Sequence, residues 1–253
     1  MTARELVEPI EIMAPPETQA GWDNSGFSVG NPDGEVSRAL IALDCTPQVV
    51  AEAVEKGCDI IITHHPLIFG GVKSITEQTW LGRTIGAAIR GKITIYSAHT
   101  NMDLAAGGVS YLMAEKLGLR NCEPLDTEGY GLVGDLPVPV YAEELANQTK
   151  FLFNAEHIRG SRLTDVPVKR VAVCGGSGKS FIHRALEKGA QAYITADIPY
   201  HDFYCEDNFM ILDIGHYNSE YNVVNLIYGI LCKKFPNFAL LISEKNNNPI
   251  YYY

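Results

Sequence analysis

The chain has 253 residues, of which 46% are hydrophobic and 20% charged, enough for one large domain or two small ones with a buried core. The formal net charge of -10 makes duplex DNA a poor partner, although a local basic patch is not excluded. We expect a cytoplasmic protein, because we find no signal peptide, no apolar run near the ~18 residues of a membrane span, and no Cys-x-x-Cys pair.

Strands and helices alternate through the first half of the chain. Helices are predicted over 2–13, 47–56, 78–90 and 108–117, and strands over 39–43, 59–63 and 93–96. Trp22-Asp23-Asn24-Ser25-Gly26 is predicted to be a polar loop. The strands are apolar along their whole length, which is typical of a parallel sheet covered by helices on both faces.

The second half repeats this alternation less regularly. Strands are predicted over 131–136, 168–174, 192–195, 209–213 and 238–243, with a short strand near His157, and helices over 141–153, 180–188 and 218–234. The pattern predicts an α/β fold with mainly parallel or mixed sheets covered by helices.

Polar side chains follow the carboxyl ends of several predicted strands, namely Asp44, His64, His65, His99, Asp103, Asp197, His201 and His216. In open α/β sheets, ligands bind in the crevice outside these ends. The pair His64-His65 is unusual at the tip of a buried strand, because each imidazole nitrogen needs a partner once it leaves water. Pro66 ends the strand there, which allows the chain to turn and bring both rings to one point.

Five of the polar residues are candidate metal ligands: His64, His65, Asp103, His216 and Glu220. Histidine and carboxylate are ligands of Zn, Mn, Fe, Co and Ni. Five side chains exceed the needs of one closed tetrahedral site, yet they leave two metals with open positions. Two carboxylates also do not neutralise two divalent ions, so a bridging hydroxide or an anionic substrate would complete the site, as in a hydrolytic centre.

A plainer interpretation exists for each residue. A buried histidine is often a hydrogen-bonded core residue. Asp103 can be the N-cap of the helix that follows. His216 can be a loop residue, and Glu220 a first-turn glutamate that the helix dipole favours. Composition alone does not join the five into one site.

The chain resembles the Nif-three-like family of dinuclear metal-centre proteins, whose members are called GTP cyclohydrolase type 2 homologues. The matching stretches span nearly the whole chain: Trp22-Asp23-Asn24-Ser25-Gly26, Ala42-Leu43-Asp44, Thr63-His64-His65-Pro66-Leu67, Ser97-Ala98-His99-Thr100-Asn101-Met102-Asp103, Gly107-Gly108-Val109, Gly175-Gly176-Ser177-Gly178, Thr195-Ala196-Asp197 with His201, and Gly215-His216 with Glu220. Ala196 stands where many members have glycine, a departure that removes no ligand.

The resemblance implies a centre of two divalent metal ions, with His64 and His65 on different metals, Asp103 and His216 as further ligands, and Glu220 as a candidate bridge. It also implies two intertwined α/β domains, which we expect at 1–125 plus about 217–253 and at 126–216, with the metal site between them. A homohexameric ring is implied as well. Longer members carry an insertion between the halves, which this chain lacks.

Two further features invite a functional interpretation. Gly175-Gly176-Ser177-Gly178-Lys179-Ser180 resembles the end of a phosphate-binding Walker A loop, but Val173 stands where that motif needs its first glycine. A tight turn is the simpler interpretation. His99 is a candidate general acid or base, or a residue that orients a ligand.

Three functions remain open from the sequence. The first is a metal-dependent hydrolase that attacks a nucleotide or another phosphorylated small molecule with a metal-bridging hydroxide. The second, which only the resemblance suggests, is ring opening of GTP. The third is a non-enzymatic metal-binding or regulatory ring assembly.

Overall fold

The computed structural model describes all residues from 1 to 253. The helices are α1 (Ala3–Met13), α2 (Pro47–Glu55), α3 (Trp80–Arg90), α4 (Thr100–Leu104), α5 (Val109–Lys116), α6 (Ala142–Leu152), α7 (Ile182–Glu187), α8 (His216–Glu220) and α9 (Asn222–Lys234). The strands are β1 (Gly26–Val29), β2 (Arg38–Ala42), β3 (Ile60–Thr63), β4 (Thr94–Ser97), β5 (Arg120–Pro124), β6 (Leu132–Val140), β7 (Arg159–Gly160), β8 (Val168–Ser177), β9 (Ala192–Ala196), β10 (Met210–Asp213) and β11 (Ala239–Ile242).

The chain forms two compact units. Unit 1 consists of Met1–Ala105 and Val223–Tyr253, and unit 2 is the continuous segment Ala106–Asn222. The sequence placed the boundaries near 125 and 217. The observed division falls elsewhere because β5 pairs with β6 in the sheet of unit 2 and α8 packs on β8 and β9 of the same unit.

Unit 1 contains a five-stranded sheet in the order β1-β4-β3-β2-β11. The four strands β11, β2, β3 and β4 are parallel, and only the edge strand β1 is antiparallel. Ile60, Ile61 and Ile62 of β3 are fully buried. A strand that is apolar along its whole length therefore occupies the middle of a covered parallel sheet, as its sequence predicted.

Unit 2 contains a six-stranded mixed sheet in the order β5-β6-β8-β9-β10-β7. Its central strands β8, β9 and β10 are parallel, whereas β5, β6 and β7 join by antiparallel pairing. Separate clusters of buried side chains cover this sheet, one including Leu145 of α6 and another including Ala185 of α7. The prediction of an α/β fold with mixed sheets covered by helices is confirmed.

Several local predictions differ from the structure. The predicted helix over 218–234 is two helices, α8 and α9, that part at Tyr221. The Ser219 hydroxyl donates to the carbonyl of His216, and such side-chain bonds compete with the helix ladder and bend it. The short strands β1 and β5 were not predicted, because they are edge strands without a buried apolar run.

None of these helices can cross a lipid bilayer. The longest, α9, has 13 residues, whereas a span needs about 20 apolar residues.

Candidate metal centre

In unit 1, the ends of two neighbouring strands place three histidines together. Thr63 of β3 lies opposite Ser97 of β4 in the parallel register, so the residues that follow each strand emerge at the same edge. The backbone ladder continues one step further, because the Ala98 amide donates to the Thr63 carbonyl at 3.0 Å. His64 and His65 thereby lie beside His99, and one ligand nitrogen from each ring lies within 4.8 Å of the others.

His64 and His65 are consecutive, yet their rings are held by opposite neighbours. The Nδ1 atom of His64 is hydrogen-bonded at 2.8 Å to the carbonyl of Ala98, beyond β4. The Nδ1 atom of His65 is bonded at 2.7 Å to Oδ1 of Asp44, beyond β2. The ring centroids remain 5.0 Å apart. The turn expected after β3 therefore does bring both rings to one point.

His99 has a carboxylate partner of its own. Its Nδ1 atom is bonded at 2.9 Å to Oδ1 of Asp23, whose side chain is fully buried. Asp23 also accepts from the Thr100 amide at 3.0 Å. Burial raises the pKa of Asp23, but the hydrogen bonds from His99 and Thr100 outweigh it and hold the pKa well below its usual range. Asp23 is thus a fixed anion that orients the His99 ring.

Asp103 lies in α4, a short helix that the sequence did not predict. Its Oδ1 atom is 3.6 Å from Nε2 of His64. The N-cap of α5 is Gly108, so the alternative role of Asp103 as that N-cap is wrong. We call His64, His65, His99 and Asp103 the histidine cluster.

In unit 2, the helix α8 carries the other two candidate ligands. His216 is its first residue and Glu220 its last, and the four-residue spacing places Nε2 of His216 3.0 Å from Oε2 of Glu220. On the other side of the ring, Nδ1 of His216 is bonded at 2.7 Å to Oδ2 of Asp197, just past β9. We call Asp197, His216 and Glu220 the helix cluster.

The helix cluster favours positive charge. Burial opposes protonation of His216, but its bonds to Asp197 and Glu220 outweigh burial and raise its pKa to about 11. The hydrogen bond to His216 in turn lowers the pKa of Asp197. Two carboxylates around one imidazole therefore create a place where a cation is stabilised.

A glycine makes room for the helix cluster. Gly176, at the end of β8, has φ of +61°, and a Cβ atom there would lie 2.2 Å from Oε1 of Glu220 and 3.2 Å from Cε1 of His216. Its amide donates at 2.9 Å to the hydroxyl of Ser219. The close approach of β8 to α8 thus requires the absence of a side chain at this position.

Asp213 aligns the two segments that carry this cluster. Its Oδ2 atom accepts from the Ile198 amide and its Oδ1 atom from the Gly215 amide, both at 3.0 Å. One buried carboxylate therefore joins the segment after β9, which holds Asp197, to the turn before His216.

The four histidines share a feature that fits metal binding. Each has Nδ1 hydrogen-bonded to a carboxylate or a backbone carbonyl, so Nε2 is the ring atom that would bind a metal ion or, in His99, exchange a proton. Metal-binding histidines have such partners almost always, because the bond fixes the tautomer and the ring orientation. The protein thus has grouped histidine and carboxylate side chains that can hold a metal ion.

The remaining candidates have other positions. His201 lies exposed in the 3₁₀ helix Tyr200–Phe203, beside Tyr200. Gly175-Gly176-Ser177 belong to β8, and Lys179 forms an ion pair with Asp202 at 3.0 Å. The glycines of the Walker-like stretch therefore serve close packing. Sequence reasoning assigned no role to Gly176 or Asp23, although the acidic residue in the loop after Trp22 was a usable signal.

Fold and site define a two-unit α/β protein with clusters of candidate metal ligands at the carboxyl ends of its strands and on a short helix. Residues 1–249 match the family model Duf34/NIF3 (NGG1p interacting factor 3), and the chain belongs to this family, as the resemblance suggested.

Relatives agree with this assignment. A Clostridium perfringens protein called "GTP cyclohydrolase 1 type 2 homolog" is 38% identical over 232 residues, covering 88% of each chain. A solved Staphylococcus aureus hypothetical protein has a TM-score of 0.90 at 28% identity, over 100% of this chain and 99% of that one. A Bacillus cereus protein related to NIF3 shares the fold, with a TM-score of 0.92 at 24% identity over 100% and 99% of the two chains.

Proposed function

We propose that this protein is a metal-dependent hydrolase that acts on a nucleotide or another phosphorylated small molecule. The observation that carries the proposal is the common setting of His64, His65, His99 and His216, each with Nδ1 bonded to an anion or a carbonyl. Four rings oriented in the same manner, beside carboxylates, are what a metal centre requires.

The five candidate ligands exceed the needs of one closed tetrahedral site. We propose, as the family resemblance implies, that His64, His65, Asp103, His216 and Glu220 bind two divalent ions, with His64 and His65 on different ions and Glu220 as the candidate bridge. The mixed nitrogen and oxygen donors suit Zn, Mn, Fe, Co or Ni.

The remaining charge favours an anionic substrate. Bound divalent ions would supply Lewis acidity and a hydroxide nucleophile at neutral pH. Two carboxylate ligands do not neutralise them, so a phosphate group on the substrate completes the charge balance. We propose that His99, whose Nδ1 atom is bonded to Asp23 at 2.9 Å, transfers a proton to the leaving group.

Substitution of a ligand from each cluster tests this proposal. We expect His65→Ala and Glu220→Ala to lose bound metal and turnover on a panel of phosphoesters and nucleotides. His183→Ala, at an exposed histidine of α7, should change neither. Turnover that survives complete loss of metal in both variants would contradict the proposal.

A second candidate function is ring opening of GTP, supported by the name of the curated relatives. Formate release from GTP by the metal-loaded protein, lost in Glu220→Ala, would support it. Hydrolysis of other phosphoesters without formate release from GTP would favour the first function. Tight metal uptake with no turnover on any substrate would indicate a non-enzymatic metal-binding or regulatory assembly.

We further propose that the protein works in the cytoplasm as a homohexameric ring, as the resemblance implies. Light scattering of the purified protein should give six times the 27.8 kDa chain mass. A monomeric or dimeric mass would contradict the ring.

A further inference from the structure

Two large aromatic side chains stand exposed beside the histidine cluster. Trp22 is 67% and Phe69 is 52% exposed. Aromatic rings carry a large apolar area, so exposed rings next to a candidate centre mark a surface that a ligand can cover.

Both rings contact His99. The ring centroid of Trp22 lies 6.1 Å from that of His99 with an interplanar angle of 75°, and that of Phe69 lies 5.5 Å away at 85°. His99 in turn lies 5.2 Å from His64 and 5.5 Å from His65. The two aromatics therefore border His99 at separations typical of edge-to-face ring contacts.

The loops that carry these rings are held together. The Asn24 side chain donates at 2.7 Å to the carbonyl of Ile68, next to Phe69. Asp23, next to Trp22, accepts from the Asn24 amide at 2.7 Å and from the Thr100 amide at 3.0 Å. The rings thus stand on anchored backbone, which reduces the entropy lost when a ligand orders them.

We propose that Trp22 and Phe69 form a stacking subsite that holds the nucleobase of a nucleotide whose phosphate end lies toward the histidine cluster. This inference rests on the proposed function, in that it names the substrate class of the same site. The site would attract the phosphate group of a phosphorylated sugar, but such a ligand would not stack on the two rings. A nucleotide uses both.

The subsite accepts different bases. Both oxygens of Asp23 accept protein hydrogen bonds, from His99 and Asn24 at one and from Thr100 and Ser25 at the other. The amide nitrogen of Asn24 is bonded to Ile68. These groups are therefore occupied and do not read a base edge, whereas stacking suits every base because each has a π-face.

The fluorescence of Trp22 can report ligand binding at the proposed subsite. The chain has two tryptophans, Trp22 and Trp80, so Trp80→Phe leaves Trp22 as the sole indole. Titration of this protein with GMP, AMP and ribose 5-phosphate, followed by tryptophan fluorescence, measures binding without any turnover. We expect both nucleotides to quench Trp22 with similar affinities, and ribose 5-phosphate to bind more weakly with little quenching.

Calorimetry of variants identifies the rings that contribute. Phe69→Ala should weaken GMP binding about 5- to 150-fold, since base stacking contributes roughly 1–3 kcal/mol per base by alanine substitution. Phe69→Tyr should restore it. Phe151→Ala, at a side chain of α6 that is 80% exposed, should have no effect.

Three results would overturn the inference: no quenching by either nucleotide, equal binding of ribose 5-phosphate, or unchanged GMP binding in Phe69→Ala. A change of oligomeric state in Phe69→Ala with GMP affinity unaltered would assign the rings to a contact between copies instead. Because binding is measured directly, a protein that binds GMP through these rings but hydrolyses nothing would refute the hydrolase and leave the subsite standing.

Discussion

The two clusters of candidate ligands are built in different ways. The histidine cluster sits at the ends of adjacent parallel strands, so the register of β3 and β4 places its histidines. The helix cluster places His216 and Glu220 by the spacing of one helical turn, and it needs an empty space at Gly176. We therefore expect substitutions near the histidine cluster to be tolerated better than substitutions at the contact between Gly176 and Glu220 in the helix cluster.

The largest effect should follow from filling that space. Gly176→Ala puts a Cβ atom 2.2 Å from Glu220 Oε1 at a φ of +61°, so Glu220 must move. We expect the metal affinity to fall more than about 100-fold, beyond the 10–100-fold typical of lost supporting contacts. Isothermal titration with Zn²⁺ or Mn²⁺ measures the change.

Gly189→Ala is the matched control for this substitution. Gly189 has φ of +72°, but a Cβ atom added there would meet no other atom within 4 Å. The variant therefore carries the backbone strain, roughly 1 kcal/mol, without the clash. Equal metal affinity in the two variants would show that the close approach does not matter.

The next effect concerns the carboxylates that orient the ligand rings. Asp197→Asn should reduce metal affinity by about 10–100-fold, because the amide cannot stabilise His216 as an anion does. Asp44→Asn, which acts on His65, should cost less, since His64 and His99 lie beside that ring. Metal titrations of both variants measure which one loses more affinity. A larger loss in Asp44→Asn would contradict our expectation that the histidine cluster is the more tolerant of the two.

Unit 1 also depends on a contact between the C-terminal segment of the chain and the residues that follow β2. Asn246 is buried, and its side-chain oxygen accepts from the amides of Leu43 and Asp44, the latter at 2.8 Å. Asn246→Ala leaves both donors unsatisfied and should lower the free energy of unfolding by about 1–3 kcal/mol in urea. The exposed neighbour Asn247 provides the control, and an equal loss in Asn247→Ala would show that this bond is not the cause.

The smallest effect should come from Glu52 of α2, which is 3% exposed. Burial raises its pKa, but bonds from Lys56, Ser243 and Glu244 outweigh burial and lower the pKa below its usual value. A lowered folded-state pKa contributes stability above the unfolded pKa of about 4.3, and this is lost as the pH falls through the folded value.

Glu52→Gln should therefore lower the free energy of unfolding by about 1 kcal/mol at pH 7. The difference from the wild type should shrink as the pH falls below about 4. Urea unfolding at both pH values measures it, and a gap that widens in acid would show that the charge on Glu52 is not stabilising.

Most of the fold could be predicted from the sequence because its strands are continuous apolar runs. Ile60-Ile61-Ile62 predicted the central strand β3, and the structure buries all three. The edge strand β5 was missed because Arg120-Asn121-Cys122-Glu123-Pro124 has no buried apolar face. The break at Tyr221 was missed because the apolar pattern does not reveal the bond from the Ser219 hydroxyl to the His216 carbonyl that bends the helix.

The sequence by itself determined which residues are the candidate metal ligands. Two adjacent histidines after a buried strand, and a histidine and glutamate one helical turn apart, are costly choices that local patterns reveal. Only the tertiary structure decided how they are held. Asp23 is hydrogen-bonded to His99 and Asp44 to His65, because the sheet register brings these residues together. Gly176 leaves room for the Glu220 side chain, because β8 packs closely against α8. Such contacts depend on positions in space, which no local pattern encodes.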